Sequence, residues 1–259
     1  MSFGLGRGRA LDDAGVGVRA GPGGELPPLP DDLGPDGRAG HVDVRAWFPH
    51  PRRPLEIEIG SGKGTFLVQQ GALRPETNYL GIEYAREFYL YAADRVRRRV
   101  EAAGELTNVR LLHADAFEFL RWRVPDACAR VIHLYFADPW PKTRHHKRRM
   151  VRDEFLRQCR RVLEPGGELR IVTDHAGYWA WMEEHFARWC VPVGTSPFSG
   201  DGSERDQGSP PSGDVPGGFE RLPFDRAESA GQDEVVGTNF ERKYRREGRP
   251  FYGAILRKR

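Results

Sequence analysis

The stretch from Val131 to Arg149 limits what this chain can fold into more than any other. Val131 to Phe136 is apolar and rich in β-branched and aromatic residues, which predicts a buried strand. That strand has to stop at Asp138. Pro139 and Pro141 cannot donate to a sheet ladder, and each biases the residue before it toward extended geometry. A carboxylate, a proline-flanked Trp140 and a run of cations are therefore delivered together at the C-terminal end of one strand. In open α/β sheets that edge binds ligands. A strand end, a proline turn and a solvated basic loop would explain each piece but not their adjacency.

Around this stretch the chain alternates strand and helix. Strands are expected over 55–59, 79–83, 109–113, 131–136 and 168–173, with a last one over 251–256. Helices are expected from Thr65, over 86–103 up to Gly104, from Ala116 to Trp122, over 150–163 up to Pro165-Gly166-Gly167, and over 178–190. The alternation predicts an α/β fold: Rossmann-like, doubly wound, with a mostly parallel seven-stranded sheet and right-handed crossovers. The late final strand allows an antiparallel end. Residues 1–45 are rich in Gly, Pro, Asp and Arg with few large apolar residues, and are expected to be disordered. Residues 46–259 then form a single domain, with a flexible Gly/Ser/Pro-rich insertion at about 194–218.

The net charge of +3 is modest, so local clustering matters more than the total field. Cations gather at Arg95 to Arg99, at Lys142 to Arg152, and at Arg242 to Arg249, a pattern suited to phosphates. For Arg95 to Arg99 a solvated helix face is an equal reading. Cys128, Cys159 and Cys190 form no CxxC and have no His at ligand spacing, so neither a disulfide framework nor a metal site is expected. No apolar leader or membrane-length run is present, which points to a cytoplasmic protein without membrane contact. Nothing decides between monomer and homodimer.

Glu58-Ile59-Gly60-Ser61-Gly62-Lys63-Gly64 lies between the first strand and the first helix. Gly60, Gly62 and Gly64 let the backbone bend tightly and approach a ligand. A dinucleotide site is the obvious competitor, and the continuation separates the two. Glu83 ends the second strand about 20 residues after the loop, where a carboxylate accepts hydrogen bonds from ribose hydroxyls. Asp115 ends the third strand, where an adenine edge would lie, and Asp138 ends the fourth. With Glu58 these acids surround a ligand carrying positive charge; a pyrophosphate would be repelled, a sulfonium and an amino group attracted. Lys63 runs against that trend and is read as pointing to solvent.

These residues resemble the bacterial tRNA (guanine-N7-)-methyltransferases. The likeness is close at 56–64, at Gly81-Ile82-Glu83 and at Ala114-Asp115-Ala116. It is most specific at Asp138-Pro139-Trp140-Pro141-Lys142 through Arg149, and it continues at Val172-Thr173-Asp174 and 238–243. It covers residue 54 to the end, apart from the insertion. The resemblance implies a class I methyltransferase fold, S-adenosyl-L-methionine as cofactor, and methylation of a guanine in the tRNA variable loop. It implies that Glu58, Glu83, Asp115, Ala116 and Asp138 contact the cofactor or its surroundings. It implies that Lys142, Asp174, Thr238, Asn239, Phe240 and Glu241 contact the target nucleotide. The family usually has Lys where Asn239 stands.

Guanine N7 has an in-plane lone pair and no proton, so its methylation needs no general base. Asp138 is then expected to orient the base and stabilise the cation that develops, through alignment and electrostatics. Lys142 could reach guanine O6 or a phosphate. Arg144, His145, Lys147, Arg148 and Arg149 are expected to hold RNA phosphates beside a base taken from a loop or turned out of a helix. An N6-adenine methyltransferase is the runner-up, since its Asp/Asn-Pro-Pro-aromatic motif also follows a fourth strand; here Trp140 takes the place of the second Pro. A non-catalytic RNA-binding relative and a nicotinamide dehydrogenase complete the alternatives.

Overall fold

A computed structural model of the protein describes residues 5–6, 8–18, 30–34, 37–191 and 217–259. The expected insertion falls almost wholly outside them, as does part of the stretch 1–45. Eight strands form one sheet: β1 (Leu55–Ile59), β2 (Asn78–Glu83), β3 (Val109–His113), β4 (Ala129–Tyr135), β5 (Leu163–Thr173), β6 (Cys190–Val191), β7 (Phe219–Pro223) and β8 (Tyr252–Lys258). Their order is β3-β2-β1-β4-β5-β8-β7-β6. β1 to β5 run parallel, β8 is antiparallel to β5, and β7 is antiparallel to β8. The mostly parallel sheet with an antiparallel end is what forms. The two-residue β6 makes eight strands where seven were expected.

β1 shows why the sheet is covered on both faces. Its period-two pattern, Leu55, Ile57 and Ile59 against Glu56 and Glu58, would suit a half-solvated strand, yet all five residues are buried. The apolar set joins a core with Ile132, Leu134, Phe155 and Ile171. On the other face Glu56 accepts hydrogen bonds from Arg130 (2.5 Å) and is bonded to His133 (2.8 Å). Burial pushes the Glu56 carboxyl up, but those two partners outweigh it and hold it below the usual range. Since β1 pairs with β2 on one side and β4 on the other, the strand order reverses at β1 and opens a crevice at its C-terminal end.

The helices are α1 (Thr65–Leu73), α2 (Arg86–Ala103), α3 (Ala116–Arg123), α4 (Asp153–Val162), α5 (Ala176–Trp189) and α6 (Asn239–Arg246). A 3-10 turn spans Thr143–Arg148. Two boundaries differ from expectation. α4 starts at Asp153 rather than 150, with Asp153 and Glu154 in its first turn, where the helix dipole favours acids. β5 starts at Leu163 and takes in Pro165-Gly166-Gly167; its pairing with β4 shifts register between Ala129 and Val131, as a proline without an N–H requires. Gly167 has no room for a side chain there, because a Cβ would stand 2.9 Å from the carbonyl oxygens of Arg130 and Glu164.

Part of the tail docks on the sheet. Val16 and Val18 are buried, and Gly17 bridges to Leu111, so this short apolar piece lies along the β3 edge. Among the described residues no helix is long and apolar enough to cross a membrane.

Candidate active-site cleft

A cleft of about 380 Å³ opens at the C-terminal ends of β1, β2 and β4, with the residues after β3 on its wall. Gly60, Gly62, Glu83, Asp115, Ala116 and Asp138 line it together. Gly60 and Gly62 have φ of 72° and 54°, the left-handed region, and a Cβ on Gly60 would meet nothing within 4 Å. The loop is thus an open cradle built on glycine's conformational freedom. Gly64 is different: a Cβ there would stand 3.0 Å from that of Ala92, so it sets the packing of the loop against α2.

The four strand-end acids are not equivalent. Glu83 accepts from the Gly62 and Ala85 backbone N–H groups, each at 2.8 Å, and so fastens the glycine loop to the end of β2. Asp115 caps α3, its Oδ1 accepting from Phe117 (2.9 Å) and Glu118 (3.1 Å). Asp138 is exposed and takes no hydrogen bond from the described residues. Glu58 is buried with Oε2 unpartnered. Burial first, then the Glu83 charge, pushes its carboxyl well above the usual range. The ring of four charges expected from the sequence therefore loses one member, since Glu58 is held neutral.

Glu58 opens instead on an adjoining cavity of about 250 Å³, together with Ser61, Lys63, Thr238, Asn239 and Lys243. The Ser61 hydroxyl is also buried without a partner. Gly60, Phe88, Tyr135 and Phe240 line both cavities. Lys63, expected to point to solvent, stands on this wall.

The segment after β4 is strained. Phe136 (φ 55°) and Trp140 (φ 42°) are non-glycine residues in the left-handed region, one on each side of Asp138. Phe136 is held by Tyr244 and Phe251, with ring centroids 5.8 and 5.6 Å away. Trp140 meets His145 edge-on at 5.8 Å, and the Arg148 guanidinium lies 4.9 Å above its ring. Lys142, Arg144, Lys147 and Arg148 are exposed, and none has a carboxylate partner among the described residues.

Two expected roles are corrected by burial. Arg149 was expected to hold phosphate, but it is 5% exposed. Its Nε donates to the Pro139 carbonyl at 2.9 Å, and its guanidinium lies over Tyr178 and Trp181. Glu241 was expected at the nucleotide but is fully buried. It accepts from the backbone N–H groups of Val235, Val236 and Gly237 and from Arg245, and so pins the loop before α6. Thr238 caps α6 by accepting from Glu241 N–H at 3.1 Å. Asn239 donates to Thr65 Oγ1 at 2.8 Å, and Phe240 is 45% exposed between the two cavities. Lys142 and Asp174 line neither cavity, and Asp174 accepts from Arg249 at 2.7 Å.

Sequence reasoning missed Tyr84, Phe88, Ser61 and Lys243 on these walls. Tyr84 is 75% exposed, and its one available signal was an aromatic directly following a strand-end acid. Among the described residues no group of His, Cys, Asp and Glu is arranged to hold a metal ion.

The family model "Putative methyltransferase" matches residues 52–193. A tRNA (guanine-N(7)-)-methyltransferase of Nitrobacter hamburgensis is 41% identical over 59% of this chain and 57% of its own length. One from Rhodopirellula baltica is 34% identical over 80% of this chain and 67% of its own. The aminoglycoside resistance methyltransferase NpmB1 aligns over 80% of this chain and 88% of its own, at 16% identity and a TM-score of 0.46. The chain spans little more than half the length of several of the curated relatives it matches. With its family model covering 142 of 259 residues, the chain belongs to the tRNA (guanine-N7-)-methyltransferase family.

Proposed function

We propose that the protein transfers a methyl group from S-adenosyl-L-methionine to N7 of a guanine in the variable loop of tRNA, in the cytoplasm. One observation carries this reading. A strained strand end presents an unpartnered Asp138 into a cleft walled by Glu83 and Asp115, and an exposed turn of unpaired cations follows it directly.

The walls fit the cofactor. Glu58 Oε2 and Ser61 Oγ are buried polar atoms with no protein partner, and the Gly60–Gly62 cradle is open above them. Glu83 keeps acceptor capacity for ribose hydroxyls beyond its two backbone bonds. Asp115 and Ala116 would hold the adenine end, and Glu58, Ser61 and Gly60 the amino-acid end. The cofactor supplies an electrophilic methyl group on a sulfonium.

The remaining work belongs to the chain's own side chains. Thr238, Asn239 and Phe240 stand where a nucleotide would enter from the α6 side, and Lys142 stands on the β4 side. Asp138 faces a nucleophile with no proton to lose, so it orients the base and stabilises the charge that develops on it. Arg144, His145, Lys147 and Arg148 hold the flanking phosphates.

The test is single-turnover methylation of unmodified tRNA with labelled cofactor, followed by identification of the nucleoside. The expected product is 7-methylguanosine. Asp138→Ala should slow the chemical step by about 100- to 1,000-fold while leaving tRNA affinity within about twofold. Asp138→Asn should fall between, with a solvent isotope effect near unity. Methyl label on adenine N6, or NADH binding without S-adenosylmethionine binding, would sink the reading.

A further inference from the structure

Arg95 stands apart from the other arginines of α2. Arg97 pairs with Asp94 (2.8 Å) and Glu101 (2.7 Å), Arg98 with Asp94 (3.1 Å), and Arg99 with Glu105 (2.9 Å). Arg95 has no carboxylate partner among the described residues. Its Nη1 donates to the Lys63 carbonyl (3.3 Å) and to Thr65 Oγ1 (3.2 Å), at the start of α1 beside the glycine loop. Burial works against its charge, and so do the neighbouring guanidinia of Arg99, Arg98 and Arg242. A guanidinium stays protonated under such pressure. Beside it lies a surface groove of about 380 Å³ bounded by Tyr91, Arg95, Arg98 and Arg99. A half-buried cation hemmed in by like charges is best satisfied by an anion from outside.

Topology says which anion. β2 and β4 flank β1; α2 follows β2, and the cationic turn follows β4. The two basic surfaces therefore rise on opposite flanks of the glycine loop. Lys63 lines the smaller cavity, has no ion-pair partner among the described residues, and continues the groove to the cleft mouth. Thr65 Oγ1, which Arg95 touches, is also the acceptor for Asn239, so the groove is fastened to the segment that closes the cleft.

We propose that Lys63, Arg95 and Arg99 form a second phosphate-binding surface for the substrate RNA, on the flank of the cleft opposite the 142–148 turn. A base turned into the cleft leaves its own strand on both sides of the opening, and each side then meets cations. Arg99 is held only by an exposed pair with Glu105, which is easily exchanged for a phosphate. The inference rests on the proposed RNA substrate.

The experiment measures binding of unmodified tRNA to the full chain across a salt series, for wild type, the pair Arg95→Gln with Arg99→Gln, the pair Arg95→Lys with Arg99→Lys, and Arg148→Gln. The Gln pair retains amide donors but loses both charges. It should flatten the slope of log affinity against log salt by about 1 for each phosphate no longer neutralised, and weaken binding about tenfold or more. The Lys pair should keep the wild-type slope. If the Gln pair leaves slope and affinity unchanged while Arg148→Gln flattens the slope, this surface is refuted and the RNA reading stands. Equal losses in the Gln and Lys pairs with a lowered Tm would also refute it, by making Arg95 a structural residue. Absence of tRNA binding by wild type would overturn both readings together.

Discussion

The arginines of α2 and the cations after β4 look alike as sequence and behave oppositely in the fold. On α2, Asp94 precedes Arg97 and Arg98 by three and four residues, and Glu101 follows Arg97 by four, so helical spacing brings acid and base together. Asp94 is wholly buried and takes a third guanidinium, Arg9, at 2.8 Å. Between Pro139 and Arg152 the chain has no acid at all, and no folded neighbour supplies one to the exposed cations there. A cation's availability to a partner is thus set by the nearest carboxylate rather than by the density of cations. Helix-surface charges mostly cancel among themselves, whereas a proline-bounded turn leaves its field for something outside.

Charge reversal tests that difference most severely. Lys147→Glu with Arg148→Glu should weaken tRNA binding about 100-fold, or about 2.7 kcal/mol, with no change in Tm because neither residue has an acidic partner to lose. Arg97→Glu with Arg98→Glu should do the reverse, lowering Tm and leaving the salt slope alone. Equal losses of affinity in the two pairs would break the comparison.

The comparison sharpens inside the run itself, at Arg149. Arg149→Ala orphans the Pro139 carbonyl and removes a guanidinium lying 5.3 and 5.2 Å from the Tyr178 and Trp181 rings. It should cost about 2 kcal/mol in urea unfolding and leave the salt slope of tRNA binding as it is. A flattened slope with unchanged stability would return Arg149 to the phosphate-binding set.

Arg149 also marks where the sequence stops being legible. The strands could be read because apolar, β-branched runs are bounded by Gly and Pro, and the acids at their ends could be placed because strand ends in such sheets meet at one edge. Burial of a single member of a uniform basic run leaves no periodic trace; it depends on Tyr178 and Trp181, which arrive from α5, about 30 residues later. Glu241 misled for a related reason. The pattern Thr238-x-x-Glu241 is a helix-start signature, and reading it as such would have given both α6 and the inward turn of the carboxylate. Glu58 looked like one more strand-end acid. Only the covering of β1's second face makes it neutral.

The smallest expected effect concerns Asp94, the acid that separates the two regions. Burial would raise its pKa, but the hydrogen bond from Arg97 and the charges of Arg98 and Arg9 outweigh that and hold it below the ordinary carboxylate value. With the folded pKa depressed, the stabilisation is complete above the unfolded value of about 3.9 and is lost as pH falls through the folded one. Asp94→Asn removes that charge at every pH. Its partners are partly solvated, with Arg9 and Arg98 about half exposed, so screening limits the loss at pH 7 to about 1 kcal/mol. Wild type and variant should then converge in urea unfolding below about pH 4, where the unfolded chain takes up the proton that the folded one resists. Binding of tRNA at pH 7 should not weaken, because the substitution frees guanidinia on α2 rather than removing them. A variant with wild-type stability at pH 7 would show that the α2 arginines are screened by solvent rather than cancelled by Asp94, and the contrast with the turn after β4 would then rest on exposure alone.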